Sequence, residues 1–342
     1  MASILSYIPT LNLTGAALCK FCLSSVKDYS KHDITLCGMD DIGQYDCDDF
    51  DIVHIHSHIQ SKFFEIKKAK VIYGVHSFNL NCAMGGFVCS VLNRFLDEPL
   101  TCLNCLGYMG MKTAEANLKT SIRMAKKADM ITVHSEFMKE FYHAYNPVYL
   151  PLPMETELLT VSEDREDYIF YTGRLSFEKN PYGFVEVVNQ SGMKAKMVIY
   201  DLVNKYVPGR SNTHYDDLFK MIKKNKNIEL IMNPSLMKMI WLVQHAKFTV
   251  LPYFFAEPFG IAAANSVLCG TPLVAFPYGN LRNMSGLLPR TLDEMVKVVK
   301  MDDEEYLKIL EETKKRGDEL RMVHDPVHAV KIWDKVYENL SN

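Results

Sequence analysis

The strongest constraint on the fold is a rhythm. Short runs rich in β-branched and aromatic residues alternate with stretches of helical periodicity along most of the chain. The runs are Ile4–Ile8, Ile34–Gly38, Asp51–His56, Val71–His76 and Met130–Ser135, then Tyr168–Gly173, Met197–Tyr200, Ile228–Met232, Phe248–Tyr253 and Leu273–Phe276. Helices are predicted at Gly15–Val26, Leu118–Ala128, Phe137–Tyr145, Asn180–Asn189, Tyr215–Asn225 and Ser235–His245. A helix between two strands is a crossover connection, and crossovers pair strands in parallel. The expected class is therefore α/β with parallel sheets, whose ligand sites lie just beyond the carboxyl ends of the strands.

With 342 residues the chain exceeds what one core usually supports, so two domains are expected. Pro147, Pro151 and Pro153, followed by the polar run Ser162–Asp167, mark the break between them. It separates residues 1–151 from 152–324, and a last helix over 325–340 carries Val327, Val330, Trp333 and Val336 as an apolar stripe. A hydrophobic content of 48% supplies two cores. The formal net charge of −3 argues against an overall basic footprint for nucleic acid or anionic membrane. No run of 18 apolar residues occurs, so no transmembrane helix is predicted. The first residues lack a basic region and are interrupted by Pro9, Asn12 and Thr14, unlike a secretory leader. Nine cysteines, an odd number without a small-domain framework, fit a reducing, cytoplasmic setting.

The densest chemistry lies in 248–277, which reads as strand, loop, helix, turn and strand without a gap. Pro258 suits a helix's first turn and Gly270 its end, which puts the helix at 259–269. Its unsatisfied N–H groups make the opening at Pro258, Phe259, Gly260 and Ile261 an anion site, with Glu257 beside it to orient what hangs from that anion. The bland alternative is an ordinary βαβ unit with Glu257 in solvent. A second strand runs through Gly173 into Arg174 and Lys179, two cations flanking a turn before Pro181. Alone each is ordinarily a solvated charge, but at the carboxyl end of a strand in the same sheet the pair suits a phosphate group.

In the first half, His76 ends a strand and faces the ligand side, or is an ordinary hydrogen-bonded histidine. Thr14 suits an N-cap, and Gly15 lets a ligand approach the backbone. His54, His56 and His58 alternate, so they share one strand face as zinc ligands or as plain strand-end residues. Cys82, Cys89, Cys102 and Cys105, spaced C-x6-C-x12-C-x2-C, are either a structural zinc site or buried thiols. Cys19 and Cys22 read as packing residues on a helix.

Together these segments resemble the retaining GT-B glycosyltransferases, the group that includes sucrose-phosphate, glycogen and mannosyl-phosphoinositide synthases. Tyr171–Lys179 is similar to that family's G-R-L-x-x-x-K phosphate segment, and Glu257–Gly260 with Cys269–Pro272 to its E-x7-E helix block. Asp51–His56, Val75-His76 and Ala128–Ser135 resemble its N-terminal strands, all in family order. The resemblance implies two facing Rossmann-like domains, the second holding a UDP-, GDP- or ADP-sugar and the first, together with the C-terminal helix 325–342, the acceptor. It implies that Arg174 and Lys179 hold the diphosphate with Gly173 in the same segment and Gly15 nearby. Glu257 would contact the donor sugar, His76 would lie beside the reacting centre, and Met232 and Asn233 would lie beside the base. It implies transfer to an acceptor hydroxyl with retention of configuration and without metal or cofactor, because Arg174, Lys179 and the helix dipole neutralise the leaving diphosphate. One departure matters: the block's second glutamate falls on Asn265. Losing one charge-assisted bond to the ribose would cost donor binding roughly 1.5–3 kcal/mol.

The acceptor stays open among a glycan, a lipid, a small molecule and, as in some phage enzymes, a hydroxymethylated DNA base. Lys62, Lys67, Lys68 and Lys70, and Lys119, Arg123, Lys126 and Lys127, are DNA-phosphate contacts in that last case and solvated faces otherwise. Asn265 also fits a GT-B scaffold kept as a non-catalytic binding protein, and a nucleotide-sugar epimerase would use the same fold.

Overall fold

The computed structural model describes residues 1–8, 14–56, 59–81, 111–200 and 215–341. The chain divides into two compact units, Met1–Glu155 with Val323–Asn342, and Thr156–Met322. Among the described residues no helix is long and apolar enough to cross a membrane.

The first unit is built on β1 (Ser3–Tyr7), β2 (Asp33–Cys37), β3 (Ile52–His56), β4 (Lys70–Gly74), β5 (Met130–Val133) and β6 (Val148–Tyr149). They form one sheet in the order β2-β1-β3-β4-β5-β6, every pair parallel. Helices α1 (Thr14–Tyr29), α2 (Met111–Lys127) and α3 (Glu136–Phe141) connect these strands, and α11 (Pro326–Ser341) is the last element of the chain. Ile4, Ile52 and Ile72 of the sheet, Leu23 and Val26 of α1, and Val330, Trp333, Val336 and Tyr337 of α11 share one buried cluster. The Trp333 indole donates a 2.8 Å hydrogen bond to the Pro151 carbonyl, so its one polar atom is satisfied where its ring is buried.

The second unit holds β7 (Tyr168–Arg174), β8 (Lys194–Tyr200), β9 (Ile228–Met232), β10 (Phe248–Leu251) and β11 (Leu273–Ala275), all parallel, in the order β11-β10-β7-β8-β9. Its helices are α4 (Pro181–Ser191), α5 (Asp216–Lys224), α6 (Leu236–Gln244), α7 (Ile261–Leu268), α8 (Leu281–Met284), α9 (Leu292–Val299) and α10 (Asp303–His324). Side-chain oxygens of Asn180, Ser235 and Thr291 accept from N–H groups in the first turns of α4, α6 and α9, satisfying donors that have no intrahelical partner. The strands fall within a few residues of the positions that alternation predicts. Two-residue β6 and helices α8 to α10 lie outside the alternation of predicted elements.

The helix expected at 259–269 is shorter, Ile261–Leu268, and Pro258 lies before it rather than in its first turn. Gly260 stands at the N-cap with φ +91°, a left-handed conformation that ends any helical path from the proline side. Residues before it are instead drawn to Gly279: Glu257 forms an isolated parallel bridge with it, and the Asn280 N–H donates to the Glu257 carbonyl at 2.8 Å. The polar run 162–167 also has a structural task. The Arg165 guanidinium donates to the carbonyls of Gln244, Ala246, Cys269 and Gly270 and to the Thr271 hydroxyl, at 2.8–3.1 Å, filling the carbonyl ends of α6 and α7.

Candidate functional site

In the second sheet, chain order reverses between β7 and β10, and crevices at such reversals are where open α/β sheets bind ligands. Arg174 ends β7, and the loops leaving these two strands carry 175–180 and 252–260. Tyr171 donates to the Lys179 carbonyl at 3.0 Å and the Phe254 N–H to the Glu178 carbonyl at 2.9 Å, so the two loops are stitched together. The Asn180 amide holds both sides, accepting from the Gly183 N–H and donating to the Pro252 carbonyl at 2.9 Å.

Within this frame the Lys179 ammonium donates to the Glu257 carboxylate, and both residues are only 9% exposed. The ammonium also sits 4.0 Å from the Tyr253 ring centroid and 4.4 Å from that of Phe255. Burial lowers the Lys179 pKa and Glu257 opposes that shift. Arg174, half-exposed, pairs with Glu178 at 3.2 Å. The two predicted phosphate-binding cations are thus not bare: each already has a carboxylate, and for Lys179 that partner offsets the cost of a buried charge. Asn265 lies in the second turn of α7, 6% exposed, with no hydrogen bond to its side-chain amide among the described residues. Gly173 lies in β7, and a Cβ there would come 3.0 Å from the Tyr171 hydroxyl. Phe259 is buried and Pro258 half-buried in the loop before Gly260, while Ile261 opens α7. Met232 ends β9 at the sheet's edge, two strands from β7, and Asn233 follows it at φ +46°.

The first unit gathers histidines. His54 and His56 share one strand face with ring centroids 3.9 Å apart, as alternation requires; His58 lies outside the described residues. The His56 Nδ1 is 3.0 Å from the His76 Nε2, and the His76 and His134 rings are 4.4 Å apart. His54 Nδ1 lies 3.1 Å from the Tyr337 hydroxyl, and Trp333 stacks on His134 at 5.9 Å. Burial holds the pKa of His54, His56 and His76 well below the usual histidine value and that of His134 at about 4, so all four are neutral at neutral pH. Gly15 is the second residue of α1. Cys82, Cys89, Cys102 and Cys105 lie outside the described residues. Cys22 is buried, its thiol 2.9 Å from the Pro153 carbonyl. Two basic clusters are partly engaged within the fold: Lys62 donates to the Ile42 and Tyr45 carbonyls and Lys127 to that of Ile66.

Sequence reasoning missed Glu178, the aromatic walls Tyr253 and Phe255, Asn180, and His134. A signal for the last was present: Val-His-Ser occurs at 75–77 and again at 133–135, after two strands that prove to be neighbours.

The model of Glycosyl transferases group 1 matches residues 160–286. Sucrose-phosphate synthase from Thermosynechococcus elongatus is similar in structure with a TM-score of 0.75 and 11% identity over 99% of both chains. Anabaena Alr3699/HepE in complex with UDP-glucose gives 0.72 at 12% identity over 99% of this chain and 100% of that one. AviGT4, a glycosyltransferase involved in avilamycin A biosynthesis, gives 0.60 at 11% over 100% and 98%. No curated protein matches by sequence. The chain has the GT-B fold of these structures, and the part of it that carries Arg174, Lys179, Glu257 and Asn265 matches the group 1 glycosyl transferases.

Proposed function

We propose that the protein is a glycosyltransferase that takes its sugar from a nucleotide-sugar held by the second unit. The observation that carries this is the buried Lys179–Glu257 pair at the β7/β10 reversal, next to the start of α7. A desolvated ammonium with a single carboxylate partner can exchange that partner for a more highly charged one. When a diphosphate takes Lys179, Glu257 is released to accept hydrogen bonds from the donor sugar. Arg174 reaches out for the same diphosphate from its half-exposed position. These cations and the N-terminal dipole of α7 neutralise the departing nucleotide diphosphate, so the transfer itself needs no metal. The bond from the anomeric carbon to the phosphate oxygen breaks, the acceptor oxygen bonds to that carbon on the same face, and the phosphate takes the acceptor proton. The first unit serves the acceptor, with His76 as its residue at the reaction. The match to group 1 glycosyl transferases and the UDP-glucose complex of HepE support the donor class.

A calorimetric and turnover screen over UDP-, GDP- and ADP-sugars tests this reading. One donor is expected to bind and turn over, and Lys179→Met, in protein that still melts cooperatively, should weaken its affinity about 10- to 100-fold, the worth of a charged hydrogen bond. Absence of both binding and turnover with every donor overturns it. Tight binding without turnover favours the second reading, a non-catalytic GT-B binding protein, which Asn265 motivates.

A further inference from the structure

Three neighbouring parallel strands each deliver a histidine to the carboxyl edge of the first sheet. His56 closes β3, His76 follows β4 by two residues, and His134 follows β5 directly. One nitrogen from each of the three rings lies within 4.8 Å of the others. The proposed transfer reaction uses His76 alone and leaves the other two without a task.

The nitrogens of these rings are poorly answered. His134 Nδ1 lies 2.9 Å from the Leu150 carbonyl, which can only accept, so Nδ1 carries the proton and Nε2 keeps a bare lone pair. That Nε2 is buried and has no hydrogen-bond partner among the described residues. A buried polar atom left unanswered costs about 1–3 kcal/mol, so such a lone pair is unusual unless something else answers it. The backbone also keeps the place clear. A Cβ at Gly74 would come 3.1 Å from His56 Nδ1, 3.2 Å from His76 Nε2 and 3.4 Å from His54 Nε2.

We propose that His56, His76 and His134 form a binding site for a borderline divalent transition cation, zinc foremost. The ligand set is entirely imidazole, which suits zinc, copper or nickel and is wrong for magnesium or calcium, whose ligands are oxygens. The rings are in the neutral form that ligation requires. An N–H donated from the far ring nitrogen to a backbone carbonyl, as His134 gives Leu150, is the usual orienting bond of a metal-binding histidine. His56 Nδ1 and His76 Nε2, 3.0 Å apart, need to part only to about 3.3–3.4 Å to become neighbouring ligands of a tetrahedral metal at about 2.0–2.1 Å. On binding, the cation replaces the proton between these two nitrogens, and that proton moves to the other nitrogen of the same ring, so that every ligand stays a neutral imidazole. Three ligands leave a fourth position for water or an incoming group.

The test is a cobalt(II) titration of the full-length chain after chelator treatment, with no donor or acceptor present, so that it stands apart from the transferase reading. The expected result is about one equivalent bound, visible d–d bands without a thiolate-to-cobalt charge-transfer band, and release by stoichiometric zinc. His56→Gln and His134→Gln should each weaken binding at least tenfold. Absence of d–d bands overturns the site. So do a thiolate charge-transfer band, which would place the metal on cysteines instead, and unchanged affinity in both variants. Should the variants fail to fold, X-ray absorption of the zinc-loaded wild-type protein decides: three imidazole ligands support the site, and sulfur ligation or fewer imidazoles refutes it.

Discussion

Lys179 illustrates how one residue's environment ranks the forces on it. Burial works against its charge, while the Glu257 carboxylate and the faces of Tyr253 and Phe255 favour it. Removing one member of such a pair strands the other and typically costs about 3–5 kcal/mol, whereas the half-exposed Arg174–Glu178 pair is worth about 0–1 kcal/mol. Stability at this site therefore rests on Lys179 and Glu257. Asn265 is the opposite case, a buried amide with no hydrogen bond among the described residues. Asn265→Glu is expected to tighten donor binding about tenfold by restoring a charge-assisted bond, at some loss of stability in the free protein, since the new carboxylate is buried without a partner. Calorimetry with the donor and urea unfolding without it measure the two effects separately; no gain in affinity would mean that residue 265 does not reach the donor. Lys179 and Glu257 were each legible from the sequence as candidates. Their direct pairing was not, since 78 residues separate them and local spacing says nothing about which charges meet.

At the scale of elements, strands were the most legible, because each is a short β-branched run ended by glycine, proline or a polar cluster. Helices with an apolar stripe and a capping side chain, such as α6 after Ser235, were legible for the same local reason. The 22-residue α10 shows no legible apolar stripe because its sequence, Asp303–His324, is charged almost all round. It is fixed instead by close approach: a Cβ on Gly317 would lie 2.5 Å from the Val267 carbonyl of α7. The loop before α7 depends on backbone chemistry of the same kind. Gly279 has φ +62°, and a Cβ there would lie 2.5 Å from both the N and the O of Glu257. Gly192 has φ +71° but open space around it. Gly192→Ala should therefore lose only the conformational part, about 1–2 kcal/mol. Gly279→Ala should add overpacking of about 1–3 kcal/mol and displace Glu257, so that donor affinity falls with stability. Chemical unfolding of the two variants side by side checks the difference, and equal losses would contradict it.

At the scale of the whole molecule, the first unit is completed by the far end of the chain. Trp333 and Tyr337 of α11 are 1% and 0% exposed among residues of β1, β3, β4 and α1, and Ser30 donates to the Asp334 carboxylate at 2.5 Å. Trp333→Ala should cost the first unit about 3–5 kcal/mol. Amide exchange read by mass spectrometry should show protection lost in β1 and β3 and kept in β7 and β8; equal loss in both sheets would refute the division of the core. The sequence by itself determined the α/β class, the parallel sheets and the candidate residues at strand ends, because periodicity, propensity and turn chemistry act over a few residues. Only the tertiary structure decided that Lys179 meets Glu257, that three strands bring His56, His76 and His134 together, and that Trp333 walls that cluster. Such meetings are set by strand order and packing across the chain, which no local pattern records.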